Sequence, residues 1–448
     1  KMHSQKKSVQ TTLAMSFKVI RMYDWLLDLY VLDFFVDDHW EKLPKCWRET
    51  FEHMDPQHLG YILSNQPSNQ MLPLSFLALI KSVEALSLPR ENDIKKKVPK
   101  KEVIDIDTCK SHPKLKNLFL KHVKLKKRHE INLMADIVVD TAVQTGCNSV
   151  IDFGSGLGHL VRVLAYRDNL YAAGIECQAQ LTEEARKLDL ELEYTASKHL
   201  TAEAVYKLHR PLHFNVTLSS HHQLLELPLP DIMKSYGLIG LHPCGDLGPL
   251  LIKHFVESKH IKFLCVVGCC FMKLTCGEEG IGYPMSDYVK SMDSQLSYPS
   301  REIACHAIDV YCERLRKGNY IDLKVHAFRA ALEKILVEHN PKLRHAPVRS
   351  IKHSDSMTFE KYCNQAVERL NLPPPTSMEG WARGQAGLRQ WRRVVVLYTL
   401  RLALAPLVET VVLLDRVLYV LERGLACEIW PVFDPKLSPR NHIIIARR

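Results

Sequence analysis

Apolar side chains recur along the first 94 residues at spacings that suit one broad helical face. Trp25, Leu29 and Trp40 are examples, and we therefore predict a helical N-terminal region over residues 1–94. Residues 95–128 then break the pattern, because 13 of them are lysine or arginine. A solvated basic linker with one exposed helix face explains such a stretch, and so does a patch that tracks phosphates.

Short apolar runs alternate with helical stretches from residue 129 to residue 274. The runs are typical of buried strands in parallel sheets, and they cover Ser149 to Phe153, Tyr171 to Glu176, Gly237 to His242 and Phe263 to Cys270. Strands that alternate with helices form a parallel sheet with helices on both faces. We therefore predict an α/β core whose first part is residues 129–274.

The strand pattern stops at residue 275 and resumes near residue 395. Residues 275–394 lack clear strands, so we predict a helical insertion there. Residues 395–448 hold a last helix and then strands at Cys427 to Phe433 and Asn441 to Ala446, with a proline-containing turn between them. A Rossmann-like sheet that ends in an antiparallel hairpin is the class I methyltransferase layout, and an all-parallel sheet is the dehydrogenase layout.

A glycine-rich loop lies between the first predicted strand and the next helix. Small residues there let the backbone turn tightly and approach a ligand closely, and the N–H groups at the helix start face that ligand. Glu176 ends the second predicted strand, where its carboxylate can accept hydrogen bonds from both ribose hydroxyls of an adenosine. The loop's candidate cofactor-binding residues are Asp152, Gly154, Ser155, Gly156, Gly158 and His159.

The spacing of the glycines separates two kinds of cofactor. A dinucleotide fingerprint has a third small residue three positions after its second glycine, and here position 159 is histidine. The glycines instead occupy positions 154, 156 and 158 behind Asp152, a spacing that favours S-adenosyl-L-methionine. Dinucleotide binding, and a glycine turn without any ligand, remain as alternatives.

Further candidates flank the predicted cofactor loop. Lys127 and Glu130 lie in a segment that usually covers the cofactor in this fold, and Glu130 could also stabilise the start of a helix. His242 ends a strand whose following loop borders the transferred methyl group. In that loop Asp246 could accept a proton or orient the acceptor, or it could cap a helix. Lys273, taken with Lys127 and Asp246, resembles the lysine-and-acid set that deprotonates a ribose 2′-hydroxyl.

Several sulfur and imidazole groups end two neighbouring strands, and we expect them to lie near one another. They are His242, Cys244, Cys269 and Cys270. A zinc site or a reactive thiol would explain them. Adjacent cysteines rarely both bind one tetrahedral ion, however, and cysteine is a common core residue. We therefore expect packing and pocket lining, and no metal ligands.

Composition adds only broad expectations. Hydrophobic residues make up 46% and charged residues 25% of the chain, an ordinary globular composition, and the net charge of +10 favours an anionic partner such as RNA or a ribonucleoprotein. The 13 cysteines are spread out, which favours a reducing compartment, cytoplasmic or nuclear. Charged residues, Arg401 and Asp415 among them, interrupt the apolar stretch 394–421, so we expect no membrane span.

Several segments of the chain also resemble the methyltransferase-like protein 25 and 25B family, once labelled as containing a ribosomal RNA adenine dimethylase domain. They are Lys126 to Ile131, Val150 to Leu160, Gly240 to Leu247, Gly268 to Leu274, Gly282 to Pro284, Arg301 to Ala307 and Leu437 to Asn441. A looser resemblance, through His-x-Cys-Gly and Cys-Cys segments, is to a transfer-RNA 2′-O-methyltransferase family. The resemblance implies a methyltransferase whose acceptor the sequence leaves open.

Two functions from different classes follow. The first is an S-adenosylmethionine-dependent methyltransferase that acts on RNA or on a protein of an RNA-bound machine. The loop after the strand at residues 237–242 lacks the Asn/Asp-Pro-Pro-aromatic motif of adenine N6-methyltransferases, which argues against the adenine label. The second is a non-catalytic scaffold that binds the cofactor. Neither function fixes the oligomeric state.

Overall fold

The computed structural model describes residues 2–67, 69–91, 123–216, 229–277, 280–318, 320–351 and 356–448. Most of the predicted basic linker, from residue 95 to residue 122, lies outside the described residues. The chain divides into two compact units. The first, which we call the sheet unit, consists of Lys1–Ala14, Pro89–Gln295 and Val411–Arg448, and the second, the helical unit, consists of Met15–Leu88 and Leu296–Thr410.

The described residues of the sheet unit form one sheet of seven strands. In chain order the strands are β1 (Ser149–Phe153), β2 (Tyr171–Glu176), β3 (Leu212–Asn215), β4 (Tyr236–Leu241), β5 (Ile261–Val267), β6 (Ala426–Pro431) and β7 (His442–Arg447). They lie side by side in the order β3-β2-β1-β4-β5-β7-β6. The first five strands are parallel, and β7 runs antiparallel between β5 and β6. The predicted α/β sheet with a terminal hairpin is therefore confirmed.

Burial explains why the central strands read as continuous apolar runs. All five residues of β1 are buried, as expected for a parallel strand that is covered on both faces. β4 and β5 approach closely at Gly237, where any side chain would collide with the ring of Phe263. β5 ends at Val267, whereas we predicted a strand that continued to Cys270. Cys269 and Cys270 therefore belong to the loop that follows the strand.

Helices of the sheet unit cover the sheet and shape its carboxyl edge. They span Leu125–Thr145, His159–Arg162, Ala179–Ser197, Ala202–Tyr206, Leu247–Glu257 and Asp287–Lys290, and a π-helical turn covers Val163–Arg167. The first of these packs Ile131, Met134 and Val138 into the main apolar core. It ends at Gly146, whose φ of 63° gives the left-handed cap that glycine favours.

The described part of the helical unit consists of helices of 4 to 19 residues, with clusters of aromatic side chains among them. Its helices are Asp24–Leu27, Lys45–Glu52, Pro56–Leu63, Leu74–Leu86, Tyr298–Ile303, Ile308–Arg316, Ile321–His339, Phe359–Val367, Trp381–Gly387 and Trp391–Leu402. Trp47, Phe51 and Phe76 form one edge-to-face cluster in it. Two further helices, Met2–Met22 and Ala405–Glu422, have residues in both units.

The unit boundaries differ from the predicted divisions. Residues 275–295, which we predicted as the start of the insertion, belong to the sheet unit. The buried carboxylate of Asp415 explains this, because it accepts hydrogen bonds from the backbone N–H groups of Met285 and Ser286 at 2.7 and 2.9 Å. Among the described residues of 275–394 no strand forms, and one isolated bridge joins Cys276 to Tyr283.

Among the described residues, one helical run is long and apolar enough to cross a bilayer. It covers Trp381–Glu422, and 94% of its most apolar window is buried inside the folded chain. A helix at the core of a folded protein passes the same test of length and composition.

Candidate functional site

The glycine-rich loop turns sharply at the end of β1. Gly154, Gly156 and Gly158 have φ angles of 76°, 56° and 66°, in the left-handed region that L side chains rarely adopt. A Cβ on Gly158 would lie 2.5 Å from the ring of His213, whereas a Cβ on Gly156 would meet nothing within 4 Å. Gly158 is therefore needed for packing, and Gly156 leaves open space beside the backbone.

Glu176, the last residue of β2, faces this loop. One carboxylate oxygen accepts the N–H of Gly156 at 2.9 Å, and the other accepts the N–H of Gln178 at 3.1 Å. A carboxylate has about four lone-pair positions, so it keeps capacity for further donors. The predicted neighbours Gly156 and Glu176 therefore meet at the carboxyl ends of β1 and β2, with the acid turned toward the loop.

Asp152 is buried under the loop. Its side chain belongs to β1, and its Oδ1 has no hydrogen-bond partner among the described residues. Burial raises the pKa of Asp152 to about 8, although the positive charge of Lys127 lowers it in part and the negative charge of Glu176 raises it. A buried acceptor without a donor costs stability, so a donor from bound water or from a ligand would be favourable here.

His159 begins the helix after the loop and is held by a buried network that the sequence did not reveal. Its Nδ1 lies 3.2 Å from Arg162, whose guanidinium forms an ion pair with Asp189 at 2.6 Å. Burial, with the charges of Arg162 and Lys127, lowers the pKa of His159 to about 4, so the ring is neutral at pH 7. Asp189 also contacts His213 at 2.6 Å. This network supports the loop from behind.

A second cluster joins three distant parts of the chain at Glu130. Glu130 Oε1 accepts hydrogen bonds from His242 Nε2 at 3.0 Å and from Ser438 Oγ at 2.5 Å. Burial raises the pKa of Glu130, but these two donors and nearby Lys126 lower it by more, so the net shift is downward. Our suggestion that Glu130 stabilises a helix start is wrong, because it lies beyond the first turn of Leu125–Thr145.

His242 belongs to this cluster, and Lys127 lies three residues before Glu130 on the same helix. Nε2 of His242 lies against Glu130, whereas its Nδ1 is buried and has no partner among the described residues. Lys127 is exposed on the first turn of its helix, where its charge acts on both Asp152 and His159. Ser438 was not predicted as a site residue, although it lies in one of the segments that carry the family resemblance.

Asp246 and Lys273 come together, but Asp246 has a structural partner. Its Oδ1 accepts the backbone N–H of Thr275 at 2.8 Å, and it makes no capping hydrogen bond to the helix Leu247–Glu257. The backbone of Gly245 lies against Lys273, whose side chain is exposed. Asp246 therefore ties the loop after β5 to the loop after β4. A proton-transfer role for either residue stays a prediction.

The predicted gathering of cysteines is confirmed. The sulfur of Cys244 lies 3.2 Å from that of Cys269 and 3.4 Å from that of Cys270, and the last two are 3.4 Å apart. The carbonyl oxygen of His242 accepts from Cys244 and Cys269, but its ring does not join the group of sulfur atoms. Three thiols therefore converge beside the cofactor candidates.

Comparisons with known proteins agree with this geometry. Residues 126–277 match a family described as a methyltransferase domain. The chain is 28% identical over 284 residues to a mouse protein named probable methyltransferase-like protein 25, a match that covers 60% of this chain and 45% of the relative. The human protein of that name is 28% identical over 242 residues, covering 49% of this chain and 38% of the relative. The chain thus matches less than half the length of these curated relatives.

Among solved structures, coclaurine N-methyltransferase bound to N-methylheliamine and SAH is similar at 11% identity. The match covers 100% of this chain and 95% of that chain, with a TM-score of 0.26. A superposition of that quality supports no inference about the ligand. The family match and the curated relatives are independent of it. Residues 126–277 are therefore a methyltransferase domain, and the resemblance of this chain to methyltransferase-like protein 25 is confirmed.

Proposed function

We propose that this protein transfers a methyl group from S-adenosyl-L-methionine to an acceptor. The observation that carries the proposal is the meeting of Gly156 N–H and the Glu176 carboxylate at the carboxyl ends of β1 and β2. Ligands of open α/β sheets bind in the crevice at this edge. The match of residues 126–277 to a methyltransferase domain supports the same function.

The residues present fit the chemistry of the cofactor. Glu176 can accept hydrogen bonds from the two hydroxyls of a ribose, because beside its two backbone donors the described residues give it only the weak S–H donor of Cys177 at 3.4 Å. The unpaired Oδ1 of Asp152 suits a positively charged amino group. The open space at Gly156 lets a ligand approach the backbone, where even a methyl side chain would intrude.

In this proposal, most of the rate enhancement comes from holding the acceptor and the methyl donor in the correct relative position. Bound S-adenosyl-L-methionine supplies an electrophilic methyl group, and the protein holds the acceptor in line with it. The Glu130 carboxylate holds the ring of His242 through Nε2, and in its neutral form the ring would offer Nδ1, which is buried without a partner among the described residues, to an N–H or O–H of the bound acceptor. Lys127 and Lys273 are exposed and can contact an anionic acceptor.

RNA, or a protein of an RNA-bound machine, is the proposed acceptor. The net charge of +10 and a pI near 8.9 favour such partners, and Lys124, Lys126 and Lys127 are exposed where the methyltransferase domain begins. We also propose a cytoplasmic or nuclear location, because the described cysteines are all free.

A tritiated methyl-transfer assay tests the proposal. RNA and protein fractions from cells that lack the protein serve as acceptors, and the wild type is compared with Gly154→Arg, which fills the exposed turn of the loop. We expect label in one fraction with the wild type and background label with the variant. Label that is equal for the two proteins, or absent from both fractions, would contradict methyl transfer. Retained binding of S-adenosylhomocysteine in that last case would instead support a non-catalytic scaffold.

A further inference from the structure

Three thiol groups form a compact triangle at the carboxyl ends of β4 and β5. The sulfur atoms of Cys244, Cys269 and Cys270 are separated by 3.2 to 3.4 Å, and none of them is in a disulfide bond. Cys244 is exposed and the other two are half-buried. The three separations are nearly equal, so no pair of thiols is singled out for a disulfide.

The local backbone explains how two adjacent cysteines can point the same way. In an extended strand, neighbouring side chains point to opposite faces. Here the strand has already ended at Val267, and the N–H of Phe271 donates to the carbonyl of Cys269 at 3.0 Å. Cys270, with φ −89° and ψ 74°, is the centre of this tight three-residue turn. Our objection that adjacent cysteines rarely share one ion therefore does not apply at this turn.

A buried positive charge lies directly behind the turn. The guanidinium of Arg416 packs against the backbone of Gly268, where any side chain would collide with it, and against the ring of Phe271. Its Nε and Nη1 are buried and have no hydrogen-bond partner among the described residues. A buried cation in this position calls for nearby negative charge.

We propose that Cys244, Cys269 and Cys270 bind one zinc ion as thiolates, with a fourth coordination position open at the exposed side of Cys244. Zinc–sulfur bonds of about 2.3 Å in a tetrahedron separate the sulfur atoms by about 3.8 Å. The observed separations reach that value with small side-chain rotations. Three thiolates around a divalent ion leave one net negative charge, which the guanidinium of Arg416 balances. Sites with three protein ligands keep the fourth position for water or a substrate.

A second group of possible metal ligands provides a useful contrast. Asp33, Glu333 and His345 also converge in the helical unit. There the Asp33 carboxylate already has two partners, the guanidinium of Arg344 at 2.9 Å and the ring of His345 at 2.8 Å. The Glu333 carboxylate accepts a hydrogen bond from the backbone N–H of His345 at 2.6 Å. The positive charge of Arg344 already compensates the negative charge of Asp33, as a metal ion would. That group is an ion-pair network, and the proposal is confined to the three thiols.

Metal content tests the zinc site directly. The full chain is purified with reductant and without chelator, and its zinc is measured by elemental mass spectrometry. We expect about one zinc per chain, and replacement by cobalt(II) should give a thiolate-to-cobalt charge-transfer band. Cys244→Ser and Cys270→Ser should each weaken zinc binding more than the roughly 10- to 100-fold typical of lost supporting contacts. Cys46→Ser, which changes an exposed cysteine of the helical unit, should leave zinc unchanged.

Clear outcomes overturn the proposal. They are a chain without zinc that also gives no charge-transfer band, zinc retained in both site variants, or a disulfide between Cys244 and a neighbour in freshly reduced protein. Circular dichroism checks that the variants fold. Binding of S-adenosylhomocysteine is measured in parallel, because wild-type protein that binds it without zinc would overturn only the metal site and leave the proposed methyl transfer standing.

Discussion

At the scale of single residues, Asp152 couples the candidate site to pH. Its pKa of about 8 in the folded chain, caused by burial, lies far above its ordinary value of 3.8. The carboxyl is therefore mostly protonated at pH 7 while the protein is without ligand. A positively charged amino group that binds at Oδ1 would favour the ionised form and expel the proton.

Proton release on binding is the expected consequence. Titration of the wild type with S-adenosylhomocysteine at pH 7, in buffers of different ionisation enthalpy, should show the release of nearly one proton per ligand. Asp152→Asn, which keeps the shape but cannot ionise, should bind more weakly and release none. Binding heats that do not depend on the buffer in the wild type would contradict the role of Asp152.

Ser438 tests the Glu130 cluster at the same scale. Its hydroxyl donates to the buried Glu130 carboxylate at 2.5 Å, and hydrogen bonds to charged groups contribute about 1.5–3 kcal/mol. Ser438→Ala should therefore lower the free energy of unfolding by about that amount at pH 7. Because the folded pKa of Glu130 is lowered, this stabilisation is present above the unfolded value of 4.5 and is lost as the pH falls further.

Chemical denaturation at a series of pH values measures that effect. Ser197→Ala, which removes an exposed hydroxyl bonded to the carbonyl of Tyr194, is the matched control and should change stability little at any pH. A Ser438→Ala difference that stays constant from pH 7 to acid would show that the lost stability does not come from the ionised Glu130.

At the scale of elements, the sequence predicted those strands whose residues are buried together. β1, β2, β4 and β5 are near-continuous apolar runs because helices cover both faces of the sheet. β3 was missed because it is short and lies at the edge of the sheet. Its four residues, Leu212–Asn215, alternate between apolar and polar side chains and do not form an apolar run. β5 was predicted too long, since Cys269 and Cys270 look apolar and their tight turn has no sequence signature.

The hairpin strand β7 should be critical for stability. Ile444 is fully buried and pairs with Val266 on one side and Ile429 on the other. Ile444→Ala should lower the free energy of unfolding by about 2–5 kcal/mol, through lost burial and the cavity left behind. Glu428→Ala, which removes a partly exposed ion pair with Arg447 from β6, should change it by less than about 1 kcal/mol. Equal changes in denaturant unfolding would contradict the central position of β7.

At the scale of the whole molecule, short sequence patterns predicted the cofactor loop, but they did not predict the residues from distant segments that pack beside it. The glycines and Glu176 were predictable because strand, turn and helix follow one another in the chain. Ser438 and Arg416 reach the site from the C-terminal part of the chain, so their proximity depends on the order of strands in the sheet. The sequence pattern indicated the kind of sheet, but it did not indicate which side chains from distant segments the sheet brings together.

The predicted acceptor also belongs to this scale. Net charge describes the whole chain, and much of the basic stretch, residues 95–122, lies outside the described residues. RNA or a protein of an RNA-bound machine therefore stays a proposal that only methyl-transfer assays can test. The candidate cofactor site, by contrast, is defined by a contact between named residues, Gly156 and Glu176, and substitutions in the loop test it directly.

Calorimetric titration with S-adenosylhomocysteine, comparing Gly156→Ala with Gly146→Ala, tests the central claim most directly. Both glycines have left-handed φ angles, 56° and 63°, and open space for a Cβ, so each change should cost a similar 1–2 kcal/mol or so of stability. We predict binding by the wild type and by Gly146→Ala, and at least about tenfold weaker binding by Gly156→Ala, a loss near 1.4 kcal/mol. No binding by the wild type, or equal affinity for the two variants, would contradict a cofactor site at this loop.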